Sequence, residues 1–221
     1  MVAASRLAAR LLCPGWSDMD DTRRHSPAAE RNAAPILATL QRVLPPQGLL
    51  LEVASGTGQH AALCSPGLTG WTWWPSDADA AALSSIRAWC ASLPRVLLPL
   101  HLDVLQPHWP CAPSQLDAIF CANMIHIAPW ACCVGLFEGA ARHLAPQGLL
   151  VTYGPHLEDE VPTSPGNLAF DADLRARNVA WGLRRREDVE QVAAQAGLVL
   201  RERVALPANN LLLVWGRSAG A

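Results

Sequence analysis

The chain contains no lysine, and all 17 of its side-chain cations are arginine. A phosphate-loop lysine, a Schiff-base lysine and a lysine general base are therefore excluded. Charge of either sign is sparse, at 16% of residues, and the net charge is −2. The only basic tract is Arg184-Arg185-Arg186, so the chain lacks the electropositive face of a nucleic-acid binder. No apolar run reaches the length needed to span a bilayer. The seven cysteines, at 13, 64, 90, 111, 121, 132 and 133, are odd in number and form no Cys-x-x-Cys pair. That argues against both a zinc site and a disulfide framework, and fits reduced thiols in a cytoplasmic setting. No internal repeat or low-complexity segment is present. Met1 to Trp16 carries Arg6 and Arg10 without an acid, a pattern compatible with an organellar transit segment or with a disordered tail. We expect residues 1–25 to be such a tail and residues 26–217 to form one domain.

The most informative stretch is Leu49-Leu50-Leu51-Glu52-Val53-Ala54-Ser55-Gly56-Thr57-Gly58-Gln59-His60. An apolar run ends in a carboxylate, turns through glycines and opens into a helix. That is the first strand, loop and helix of a nucleotide-binding α/β unit. Around it the chain alternates between strand and helix signals. A helix begins at Pro27 behind the N-cap Ser26 and stops at Pro45-Pro46. Further strands are expected at Trp71 to Pro75, Val96 to Leu100, Leu116 to Cys121 and Leu149 to Tyr153. Helices are expected at Thr57 to Leu63, Ala80 to Cys90 and Trp130 to Leu144. A short helix around Asn167 to Arg177 falls inside an irregular segment, residues 154–186, that reads as a lid or substrate-binding insertion. A helix at Glu187 to Ala196 precedes two strands, Leu198 to Ala205 and Leu211 to Trp215, joined through Pro207-Ala208-Asn209-Asn210. This order implies an α/β fold with a mostly parallel sheet, helices on both faces and a closing hairpin.

Open parallel sheets bind ligands beyond the carboxyl ends of their strands. The polar residues expected there are Glu52, the Ser55-to-Gly58 loop, Asp77, Asp103, Asn123, His126, Tyr153 and His156. If the penultimate strand is parallel to the rest, Asn209 and Asn210 join them. Two cofactors compete. Gly56-Thr57-Gly58-Gln59-His60-Ala61 matches the dinucleotide fingerprint, with Asp77 where a ribose-binding acid belongs. Glu52 argues the other way. An anion at the strand end opposes a pyrophosphate and suits S-adenosylmethionine, which carries a sulfonium and an ammonium. On that reading the glycine turn approaches the ligand closely, Asp77 takes the ribose hydroxyls, and Asp103 or the Val104 backbone takes adenine. No metal is expected.

Glu52 to Gly58 resembles motif I of class I S-adenosylmethionine-dependent methyltransferases. Further blocks resemble the methyltransferase-like 26 proteins of animals and bacteria. They include Ser26 to Asn32, Trp74 to Asp77, Leu102 to Val104, Asn123 to Pro129, Tyr153 to Pro155, Trp181 to Arg184 and Pro207 to Asn210. The resemblance implies a Rossmann-like class I methyltransferase fold, a seven-stranded sheet with the last strand antiparallel. It also implies a methyl transfer to a small-molecule or protein acceptor. Cofactor contacts then fall on Glu52, Ala54, Ser55, Gly56, Gly58, Asp77, Asp103, Val104 and Asn123. Ala54 stands where the superfamily usually has glycine. His126 is the candidate base, Tyr153 and Asn209 the candidate acceptor-orienting groups, and Arg31-Asn32 a candidate cover for the cofactor. Each has a plainer reading: a packed histidine, a core tyrosine, turn asparagines and a solvated helix face. The same resemblance leaves room for a module that keeps the fold without turnover.

Overall fold

Ser26 caps the first helix by accepting from the Ala29 amide, and Pro27 takes the first helical position, where a missing N–H costs nothing. The helix, α1 (Pro27–Val43), buries Ala33, Ile36 and Leu40 along one stripe. The computed structural model describes residues 22–111 and 115–218. Elements then follow as β1 (Gly48–Val53), α2 (Gln59–Cys64), β2 (Trp71–Asp77), α3 (Ala80–Cys90), β3 (Leu100–His101), β4 (Leu116–Ala122) and α4 (Trp130–His143). The chain closes with β5 (Leu144–Gly154), α5 (Pro165–Arg177), α6 (Arg186–Gln195), β6 (Leu198–Leu206) and β7 (Asn210–Arg217).

The strands form one seven-stranded sheet in the order β3-β2-β1-β4-β5-β7-β6. All neighbours are parallel except β7, which runs antiparallel to both β5 and β6. The expected fold class therefore stands. Because β6 is antiparallel to β7, it runs parallel to β5. Its hairpin loop thus returns to the carboxyl edge. Successive residues of a strand face opposite sides of the sheet. Leu50, Trp73, Phe120, Tyr153 and Leu212 pack against α1, α2 and α3. Leu51, Val53, Ile119, Cys121 and Leu213 pack against α4 and α6. Trp71 and Trp73 are core residues, as the apolar pattern of β2 suggests, and so are both Cys132 and Cys133.

The third strand differs from expectation. Val96 makes only an isolated parallel bridge with Trp73, the ladder breaks at Leu98-Pro99, and pairing resumes at Leu100. Proline has no amide to donate to a ladder, and Leu98 is 79% exposed, so the run expected as one strand is interrupted in the middle. β5 begins five residues earlier than expected, at Leu144, with a shift in its pairing to β4 before the regular ladder at Leu149. The insertion contains α5, capped by the Ser164 side chain, which accepts from the Asn167 amide. At the other end of the domain, residues 22–25 are not a free tail. The Arg24 amide donates to Ser85 Oγ at 2.8 Å, and Trp89 Nε1 donates to the Arg24 carbonyl at 2.8 Å. The transit-segment reading of Met1 to Trp16 lies outside the described residues.

Candidate functional site

Two cavities adjoin at the carboxyl edge of the sheet. The first, about 330 Å³, is lined by Ala54, Gly56, Asp77, Asp103, Val104 and Ile127, among others. Its floor is the turn after β1. Gly56 has φ +58° and Gly58 φ +90°, and a side chain at Gly58 would strike the Ile86 backbone at 2.7 Å. Gly58 is thus required for both conformation and space. Gly56 has nothing within 4 Å of where a Cβ would sit, so it leaves open room beside the turn. Ala54 shares the left-handed conformation, at φ 57°, without glycine's freedom.

Asp77 is the best-defined group in this cavity. Its Oδ2 accepts from the Gly56 amide at 2.8 Å and its Oδ1 from the Asp79 amide at 2.9 Å. Two backbone donors fix the carboxylate, and each oxygen keeps a lone pair for a further donor. Asp103 Oδ1 accepts from the Leu105 amide at 2.9 Å, which folds the chain so that Asp103 and Val104 both border the cavity. Asp79 also lines it and pairs with Arg24 at 3.3 Å. No arginine is among the lining residues.

Glu52 is placed elsewhere than the sequence suggests. It shares a face of β1 with Leu50 rather than with Val53, so its carboxylate turns beneath α2 and is 1% exposed. Trp73 Nε1 donates to its Oε2 at 2.9 Å, and His60 Nδ1 lies 3.8 Å from its Oε1. Burial pushes its pKa up from 4.5 to about 7, against the Trp73 and Ser55 hydrogen bonds. The carboxylate that seemed to select a cationic ligand is therefore structural, and Asp77, Asp79 and Asp103 supply the negative charge instead. Ser55 is also buried; its amide donates to the Ser76 carbonyl and its Oγ accepts from the Ser76 amide, tying the turn to β2.

The second cavity, about 440 Å³, lies on the other side of the β4 terminus and shares Ile127 with the first. Its lining includes Arg31, Asn32, Asn123, Phe170, Arg177 and Trp181. Asn123 ends β4 in a left-handed conformation, φ 62°, held by its amide donating to the Tyr153 carbonyl at 2.7 Å. Arg31 and Asn32 border this cavity rather than the one holding Asp77. Phe170 and Arg177 escaped the sequence reading as site residues, and Trp181 entered it only as the start of a block of resemblance. The insertion that carries them was legible, but nothing in its irregular pattern indicates which of its residues face inward.

The three expected catalytic side chains line neither cavity. His126 follows β4 in a 3₁₀ turn, is fully buried, and packs edge-on against His156 with ring centroids 4.7 Å apart. Neither nitrogen of the His126 ring has a hydrogen-bond partner. Burial, together with His156 and Arg184, holds His126 well below the usual imidazole range, so it is a neutral packed histidine. His156, expected among the polar residues at the ligand-binding edge, is likewise buried, and that burial lowers its pKa to about 4. Arg184, the first residue of the basic tract, locks this corner by donating to the carbonyls of Ile125, Ala128 and Ala180. Tyr153 is 1% exposed, on the α1 side of the sheet, and burial raises its phenol to about 12. Asn209 accepts through Oδ1 from the Ser164 amide at 3.3 Å and from Asn167 Nδ2 at 3.1 Å. It therefore fastens the start of α5 to the β6–β7 turn. The described cysteines are all free; burial drives Cys64 and Cys133 up to about 12, far from a reactive thiolate. Among the described residues no cluster of three or more His, Cys, Asp or Glu could hold a metal.

A seven-stranded sheet of this order, with one antiparallel strand and a glycine turn at its centre, is the Rossmann-like fold of class I methyltransferases. Solved structures agree. The mitomycin 7-O-methyltransferase MmcR matches with a TM-score of 0.73 at 15% identity, over 86% of this chain and 54% of its own. The pyocyanin biosynthetic protein PhzM matches with a TM-score of 0.69 at 21% identity, over 82% and 54%. Human N-acetylserotonin methyltransferase, solved with S-adenosylmethionine, matches with a TM-score of 0.69 at 14% identity, over 85% and 52%. This chain spans about half the length of each. It belongs to the family described as protein of unknown function DUF938, whose model matches residues 23–217.

Proposed function

We propose that this chain is an S-adenosylmethionine-dependent methyltransferase and that the methyltransferase-like 26 proteins are its functional relatives. The observation that carries the reading is Asp77. Its carboxylate is oriented by the Gly56 and Asp79 amides and still has lone pairs free for a vicinal diol. In this assignment Asp77 holds the ribose, Asp103 and the Val104 backbone border adenine, and Gly56 gives the ligand backbone-close access. The cavity carries three carboxylates and no arginine, a charge balance that favours a cation and opposes a pyrophosphate. The human neighbour holds this same cofactor in its solved structure. S-adenosylmethionine would supply a methyl group on a positively charged sulfur, already activated toward an acceptor lone pair. The protein's task is then mainly positioning.

A non-catalytic, cofactor-binding module is the second reading. Its support is that His126, Tyr153 and Asn209 line neither cavity, so none of them presents a base there. Ligand-dependent thermal shift tests the common ground. Ligand at roughly 100 times Kd stabilises a folded protein by about 2.7 kcal/mol. We expect S-adenosylmethionine and S-adenosylhomocysteine to raise Tm, NAD to leave it unchanged, and Asp77→Ala to abolish the response. Stabilisation by NAD alone would overturn the assignment. Labelled-methyl transfer to a metabolite extract separates the enzyme from the module.

A further inference from the structure

The two adjoining cavities have opposite electrostatic character. Three aspartates line the first. The second has no acid in its lining; it combines Arg31 and Arg177 with the amides of Asn32, Asn123, Asn167 and Asn210. Arg31 has no ion pair among the described residues, and neither the Asn32 nor the Asn123 side chain has a hydrogen-bond partner there. Arg177 is neutralised only in part. It lies 3.7 Å from Asp173, a pair exposed on both sides, and its guanidinium sits 5.3 Å from the centre of the Trp181 ring. Phe170, Leu174, Ile127 and Pro155 add apolar surface around these groups. A small-molecule site of this kind pairs a hydrophobic body with a few placed polar groups that fix orientation.

We propose that the 440 Å³ cavity binds a planar, aromatic small molecule bearing a carboxylate or an equivalent anion, and that this is the methyl acceptor of the neighbouring site. Trp181 and Phe170 contact the ring, Arg31 and Arg177 take the anion, and Asn123 lies on the side nearest the first cavity. The juxtaposition sets the selectivity. A cationic acceptor would meet the positive charge of Arg31 and Arg177, whereas an anionic one neutralises it and is also kept out of the aspartate-lined neighbour. The acceptor role rests on the methyltransferase reading above; the binding preference rests on this cavity alone.

The test is calorimetric binding of three para-substituted phenols of similar size and different charge to the full chain: 4-hydroxybenzoate, 4-hydroxybenzamide and 4-hydroxybenzylamine. Charge-assisted hydrogen bonds are worth enough that the carboxylate is expected to bind roughly tenfold tighter than the amide, with the amine weakest. Arg31 is exposed on α1, so Arg31→Gln is expected to fold normally and to erase most of that preference. Arg87→Gln, an exposed arginine outside both cavities, is expected to preserve it. Equal or tighter binding of the amine overturns the proposal, as does the absence of binding by all three at about 10 mM, where even millimolar affinities register. The S-adenosylhomocysteine shift is read separately on the same preparation. Carboxylate binding without that shift leaves the anion site standing and removes its role as acceptor site. The shift without carboxylate binding leaves the methyltransferase reading intact and overturns this one.

Discussion

Ala54 and Glu52 stand two residues apart, and each contributes a strain that single substitutions can measure. Ala54 holds φ 57°, a region that disfavours any side chain beyond hydrogen. Ala54→Gly is expected to stabilise the fold by about 1 kcal/mol, a rise in Tm of roughly 2–4 °C by calorimetry. Glu52 carries a different burden. Its pKa is raised from 4.5 to about 7, so the folded state holds its proton more tightly than the unfolded chain. The associated stability is complete below pH 4.5 and is lost as pH rises through about 7. Glu52→Gln is therefore expected to gain on the wild type between pH 5 and pH 8, by up to about 3 kcal/mol in urea unfolding. A constant difference across that range would show that the carboxylate is not titrating in the core. The two residues also show where sequence reading succeeds and where it stops. The glycine turn and Asp77 were legible because local backbone chemistry demands them. The direction of Glu52 was not, because an acid at the end of a strand reads as a ligand contact until the pleat shows which face it is on.

At the scale of elements, the hydrophobic pattern located nearly every helix and strand, and failed where proline intervened. Leu97-Leu98-Pro99-Leu100 looks continuous, but a missing amide splits it into a bridge and a two-residue strand. The placement of α5 was legible as well, through the turn-rich segment around it. What fastens it was not, since the link joins Asn167 to Asn209 across 42 residues. Asn209, which reads as an acceptor-orienting group, serves this clamp instead. Removing it is expected to loosen one element without unfolding the rest. Asn209→Ala should speed amide exchange across Pro165–Arg177 by several-fold while β1, β4 and β5 exchange as before. Because α5 carries Phe170 and Arg177, the same variant should weaken 4-hydroxybenzoate binding but leave the S-adenosylhomocysteine response unchanged. Loss of both responses would mean that the clamp supports the whole sheet edge.

For the molecule as a whole, acid is the expected weak point. His60 and His156 are buried with pKa values lowered to about 4, and burial beside His156 also holds His126 well below the usual imidazole range. All three are neutral in the folded state, whereas the unfolded chain takes up protons near pH 6.5. The stability they contribute is present above that pH and is lost as pH falls toward 4. Glu52 acts in the opposite direction over part of the range, but one group opposes three. Urea midpoints are expected to fall steeply between pH 6.5 and 4.5, and more gently in His156→Leu. A flat profile in both would show that these rings are not excluded from water. The sheet order has a last consequence. β7 begins at the ligand-binding rim and ends at the opposite one, while Arg24 lies beside Asp79. A purification handle fused beyond Arg217 would hang from the far rim, clear of both openings. A handle at that rim therefore leaves the mouths of both cavities free while ligand affinities are measured.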